Sequence, residues 1–134
     1  MSCERILLIS MLLISGIMLS AQTTDKPKTE SPKPLVTFIE LGSVNCIPCK
    51  MMQPVMKEVE AEYGDKIEVI FYDVWKPQHK AMSTKYKIRV IPTQVFLDKD
   101  GKEFFRHEGF YPKDEMVKML DKQMGIKRKP VNKE

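Results

Sequence analysis

Two cysteines with two residues between them, Cys46-Ile47-Pro48-Cys49, stand where an apolar run gives way to a stretch whose apolar residues recur at helical spacing. Thiols three positions apart at the start of a helix share one turn and can close a small ring, so the pair can pass between dithiol and disulfide by exchanging two electrons. The first turn also presents backbone N–H groups with no partner inside the helix, together with the positive end of the peptide dipoles. Both favour a thiolate, which makes the outer sulfur, Cys46, the expected nucleophile. Cys49, deeper in the turn and shielded from water, is the expected resolving thiol, attacking the mixed disulfide once Cys46 has formed it. Pro48 suits this position, because its missing N–H removes no hydrogen bond there and its φ is already helical.

Blander roles are open to the same residues. A purely structural disulfide is disfavoured because a ring closed over two intervening residues removes little chain entropy. A zinc half-site would need two further ligands, and only His79 and His107 stand elsewhere, each isolated; no metal and no other cofactor is expected. Met51, Met52 and Met56 read as core filling rather than soft-metal ligands. Tyr72 and Trp75 read as packing aromatics, and the two histidines as surface residues.

For the thiols to open a helix, the flanking chain must fold accordingly. Residues 35–41, LVTFIEL, are rich in β-branched and aromatic side chains and long enough for a buried strand, with Glu40 as the one charge among them. Beyond Cys46, Met52, Val55, Met56, Val59 and Tyr63 recur at three- and four-residue steps, predicting an amphipathic helix that ends near Gly64. Residues 67–74, IEVIFYDV, return to strand character, which completes a right-handed βαβ unit. Residues 77–86 predict a shorter helix, and residues 93–97 and 102–107 an antiparallel pair joined through Asp98-Lys99-Asp100-Gly101. Pro112 opens a last helix with Asp114 and Glu115 in its first turn and an apolar stripe of Met116, Val117, Leu120 and Met124, closed by Gly125. The order β-α-β-α-β-β-α is that of an α/β domain.

The N-terminus suggests where the thiols work. Arg5, an uncharged and mainly apolar stretch over residues 6–19 and then Ser20-Ala21 have the pattern of a secretory signal, so residues 1–21 are expected to be a signal peptide and the protein to be periplasmic or otherwise exported. An uncleaved membrane anchor is the competing reading, although the run is short for a spanning helix. Residues 22–34, with three prolines and no apolar periodicity, predict a flexible linker. Residues 35–125 form the expected domain and 126–134 a basic tail. A net charge of +4, with no basic motif on an ordered element, argues against nucleic acid as a partner.

Taken together, these residues resemble the thioredoxin family over nearly all of 35–124. The likeness is carried by the strand leading into Cys46-Ile47-Pro48-Cys49-Lys50, the helix with Pro54 and Tyr63, the segment Lys85 to Thr93 with its Ile91-Pro92, the turn Asp100-Gly101, and Gly109. It implies a thioredoxin-like fold with a central mixed four-stranded sheet flanked by helices. It implies as well that the Ile91–Pro92 bond is cis and lies against the thiols, with the Ile91 backbone pairing an extended substrate segment as an added strand. Glu40 matches the family's buried acid beneath the second thiol, which would accept and return the proton of Cys49. The chain departs from the pattern at Asn45, where a tryptophan is usual, at Ile47 in place of glycine, and at Phe71, where a lysine usually partners the buried acid.

The expected activity is that of an exported thiol–disulfide oxidoreductase acting on disulfide-containing proteins. Ile91 before the proline resembles reducing members of the family, which favours a reductase. Such a protein needs a membrane thiol-electron donor, because its compartment holds no reducing buffer. Cytochrome maturation components are candidate partners, and a monomer is expected. An oxidase or isomerase of the same fold, or a redox-silent binding module, are the alternatives.

Overall fold

The computed structural model describes residues 32–128, so the expected signal peptide, linker residues 22–31 and tail residues 129–134 lie outside the described residues. Four strands and three helices follow in order: β1 (Val36–Gly42), α1 (Ile47–Tyr63), β2 (Ile67–Asp73), α2 (Lys80–Lys85), β3 (Thr93–Asp98), β4 (Glu103–Glu108) and α3 (Lys113–Met124). Short 3-10 turns at Gly64–Lys66 and Pro77–His79 lead into β2 and α2.

The sheet runs β2-β1-β3-β4. β1 and β2 are parallel, while β1 with β3 and β3 with β4 are antiparallel. This topology brings four chain ends together. Gly42 pairs with Asp73, Leu41 with Thr93, and Thr93 with Glu108, so the segments after β1, after β2, before β3 and after β4 all emerge at one end of the sheet.

Strand alternation decides what each helix covers. Val36 and Phe38 join Met52, Val55, Val59, Met116 and Leu120 in one core cluster, which puts α1 and α3 on that face. Ile39, Leu41 and Val95 form the second cluster with Val74, packed against Met82 and Tyr86 of the α2 side. A strand covered on both faces has no solvated side, which explains why residues 35–41 read as a near-continuous apolar run rather than an alternating one. Phe38 and its register partner Phe96 stack with ring centroids 4.7 Å apart. The Tyr63 hydroxyl donates to Asp121 at 2.7 Å and ties the end of α1 to α3. At the β3–β4 turn Gly101 takes a positive φ of 79°, a conformation that glycine adopts without steric cost.

Candidate functional site

Cys46 is the N-cap of α1, with extended backbone (φ −97°, ψ 126°), and Ile47 and Pro48 form the first turn. The two cysteine Cα atoms are 5.2 Å apart and the sulfurs face one another at disulfide distance. Cys46 is partly exposed, whereas Cys49 is fully buried. Among the described residues no side chain caps the helix, and no acidic residue lies in its first turn to oppose an anion at the Cys46 sulfur.

The loop before Cys46 is held by a carboxylate from the neighbouring strand. Buried Asp73 accepts the Val44 N–H at 3.4 Å and the Trp75 N–H at 3.2 Å, joining the ends of β1 and β2. Ser43 Oγ accepts the Asn45 N–H at 3.2 Å, and the Cys46 N–H donates to the Ser43 carbonyl at 3.2 Å. Sequence reasoning missed Asp73; its signal was a carboxylate closing the apolar run of residues 69–72.

Beside this loop stands the bond between Ile91 and Pro92, which is cis. Pro92 directly precedes Thr93, the register partner of Leu41, so the segment lies at the thiol end of the sheet. The flanking carbonyls are occupied: that of Val90 accepts from Thr93 Oγ1 at 2.7 Å, and that of Pro92 from the Gly109 N–H at 2.8 Å. Among the described residues the Ile91 backbone makes no such bond, and a free N–H and C=O are what an added strand needs. From Ile91 a groove of about 460 Å³ continues between Val74, Trp75, Ile88 and the α2 residues Lys80 and Ser83.

Six of the large apolar side chains left exposed, Val44, Ile47, Met51, Trp75, Val90 and Phe110, belong to the four segments gathered at this end. Ile47 is 75% exposed and Trp75 61%. Two expectations change here. Met51 faces solvent rather than filling the core, unlike Met52 and Met56, and Trp75 does not pack, because it stands two residues past the end of β2, in the turn that leads toward α2. His107 stacks on Tyr111 with centroids 4.4 Å apart, and His79 stands edge-on to Tyr72 at 5.4 Å, so both histidines are engaged and only half-exposed. Among the described residues no group of three or more His, Cys, Asp or Glu side chains could hold a metal ion, and no helix is long and apolar enough to cross a membrane.

Glu40 is fully buried in the central strand β1. By alternation it shares a face with Gly42, where an added Cβ would lie 3.1 Å from the Cys49 sulfur, so Glu40 and Cys49 occupy the same layer. Desolvation raises its carboxyl and the side chain of Gln94 draws it partly back, leaving it at about 8 against an ordinary 4.5. Its register partner on β2 is Phe71, which offers no cation. Gly42 itself leaves room for Cys49. Gly42→Ala should push the Cys49 side chain out of place and lower stability by about 1–3 kcal/mol, measured by urea melts of the disulfide form; an unchanged midpoint would show that the helix start yields freely.

Comparison with known proteins gives a consistent picture. A Thioredoxin-like domain matches residues 21–124. The thioredoxin of Staphylococcus aureus is 33% identical over 89 residues, which cover 66% of this chain and 83% of that protein. Among solved structures, a mutant thioredoxin from Halobacterium salinarum aligns with a TM-score of 0.60 and 25% identity, covering 72% of this chain and 80% of the other.

Proposed function

The chain belongs to the thioredoxin family, whose fold carries thiol–disulfide exchange, and from that premise we propose that it is an exported reductase of protein disulfides. Cys46 attacks a partner's disulfide and Cys49 resolves the resulting mixed disulfide. The observation that carries this is the unequal exposure of the two sulfurs at the start of α1: Cys46 is within reach of a partner and Cys49 is not. The apolar collar around Cys46 favours protein partners over small thiols, since exposed apolar side chains gathered at one end of a domain mark a docking surface. The unpaired backbone of Ile91 and the groove running from it suit an extended segment.

Export rests on the signal-like N-terminus, and the lean toward reduction on Ile91 before Pro92. A reductase in an oxidising compartment is recharged by a membrane thiol donor, and cytochrome maturation is one destination for its electrons. The test is capture. Cys49→Ser expressed in the native host should accumulate partners covalently held through Cys46 and released by reductant; an absence of any such adduct, with wild type also inert toward disulfide-linked proteins, would reduce the chain to a binding module. An equilibrium potential more negative than roughly −200 mV is expected, and one near that of strong oxidants would assign an oxidase instead.

Trp75 supplies the largest exposed ring beside the groove. Trp75→Ala should raise KM for a protein disulfide about tenfold, as loss of an exposed aromatic anchor does, while leaving the reaction with a small disulfide reagent near wild type. Equal losses on both substrates would deny it a docking role.

A further inference from the structure

Gln94 interrupts the otherwise apolar middle of β3, is fully buried, and is the register partner of Glu40. It shares the sheet face of its strand neighbour Phe96, which packs in the cluster beneath α1 and α3. Neither carboxyl oxygen of Glu40, nor either polar atom of the Gln94 amide, completes a hydrogen bond among the described residues. The amide nevertheless lies close enough to lower the carboxyl's proton affinity. The other neighbours give no help. On β2 the register partner is Phe71, and the buried positions of α1 and α3 on this face include only Cys49 and Tyr63 as titratable groups. No cation and no second carboxyl is among them.

A buried amide with no partner costs about 1–3 kcal/mol, so its place opposite the fully buried carboxyl of Glu40 calls for a cause. An amide can serve either protonation state of a carboxyl: its N–H donates to the carboxylate, and its carbonyl accepts from the acid. We propose that Gln94 is the positioning residue for proton transfer at Glu40, turning its amide to partner the carboxylate before Cys49 is deprotonated and the carboxylic acid afterwards. This rests on the exchange reaction proposed above. In that step a Glu40 oxygen takes the Cys49 thiol proton and the Cys49 sulfur attacks the Cys46 sulfur. The bond from Cys46 to the partner breaks, and the partner's sulfur leaves as a thiolate. The partner gains two electrons and the Cys46–Cys49 pair loses them.

The test compares wild type with Gln94→Leu, in two readouts. Carboxyl infrared titration of the disulfide form follows Glu40 with no activity involved, and removal of the donor should move its midpoint up by about one pH unit. Single-turnover resolution of a mixed disulfide formed on Cys46 should slow about tenfold near pH 7, with recovery toward the wild-type rate as pH rises. In a Glu40→Gln background Gln94→Leu should leave the pH profile unmoved. Gln94→Met, which keeps the length without the donor, carries the same test should Gln94→Leu not fold. An unshifted Glu40 titration, or a rate lowered equally at every pH, overturns the proposal. Failure of Cys46 to form a mixed disulfide would instead overturn the exchange reaction, and the titration would still decide the role of Gln94.

Discussion

Glu40→Gln should remove most of the pH dependence of stability of the disulfide form between pH 5 and pH 9. In the folded chain desolvation keeps the Glu40 carboxyl protonated up to about 8, against an ordinary 4.5. The folded state therefore holds a proton that the unfolded state has released. Its contribution is fully present below about 4.5 and is lost as pH rises through 8, where the buried group must ionise. A displacement of that size corresponds to a swing on the order of 5 kcal/mol. Glutamine keeps the shape and cannot ionise, so urea melts of variant and wild type should coincide near pH 5, with the variant several kcal/mol more stable at pH 9. A wild type as flat as the variant across that range would contradict a desolvated carboxyl.

The same substitution separates stability from catalysis, because the residue that weakens the fold at high pH is the proposed acceptor for the Cys49 proton. In wild type the resolution rate should rise with pH through about 8 as Glu40 becomes a carboxylate. In Glu40→Gln that limb should vanish and the rate at pH 8 fall by about a hundredfold, within the range of general-base contributions. More stable and slower at once is a combination that simple structural damage does not produce.

Cys46→Ser should lower turnover of a disulfide-linked protein by on the order of a thousandfold or more, with the far-UV spectrum unchanged. A serine hydroxyl at the same helix start stays protonated near neutrality and cannot form a disulfide with a partner. In reduced wild type, a soluble alkylating reagent should modify Cys46 well below the pH at which a free thiol reacts, and Cys49 far more slowly, because only Cys46 is open to solvent and aligned with the uncapped first turn. Equal reactivity of the two sulfurs would remove the assignment of attacking and resolving roles.

Much of this was legible from local pattern. Helical spacing from Met52 to Tyr63 placed α1, and the thiols at its start followed from where the apolar period changes. Asp98 to Gly101 announced the hairpin, and Gly125 the end of α3. These features are set within a few residues by steric and hydrogen-bonding rules, so they can be read along the chain. The family likeness then supplied the sheet, together with a role for Glu40 that the strand's composition could only mark as unexplained.

The amino-acid order alone thus determined which elements form and which atoms could exchange electrons. Tertiary structure decided what surrounds them. Gln94 reads as an ordinary strand residue until antiparallel register sets it against Glu40, Asp73 as a strand end until it receives two N–H groups from the loops flanking the site, and Trp75 as packing until the sheet ends beneath it. Each of these depends on which strand lies beside which, and pairing between distant segments is settled by burial of the whole sheet rather than by any local preference of the chain.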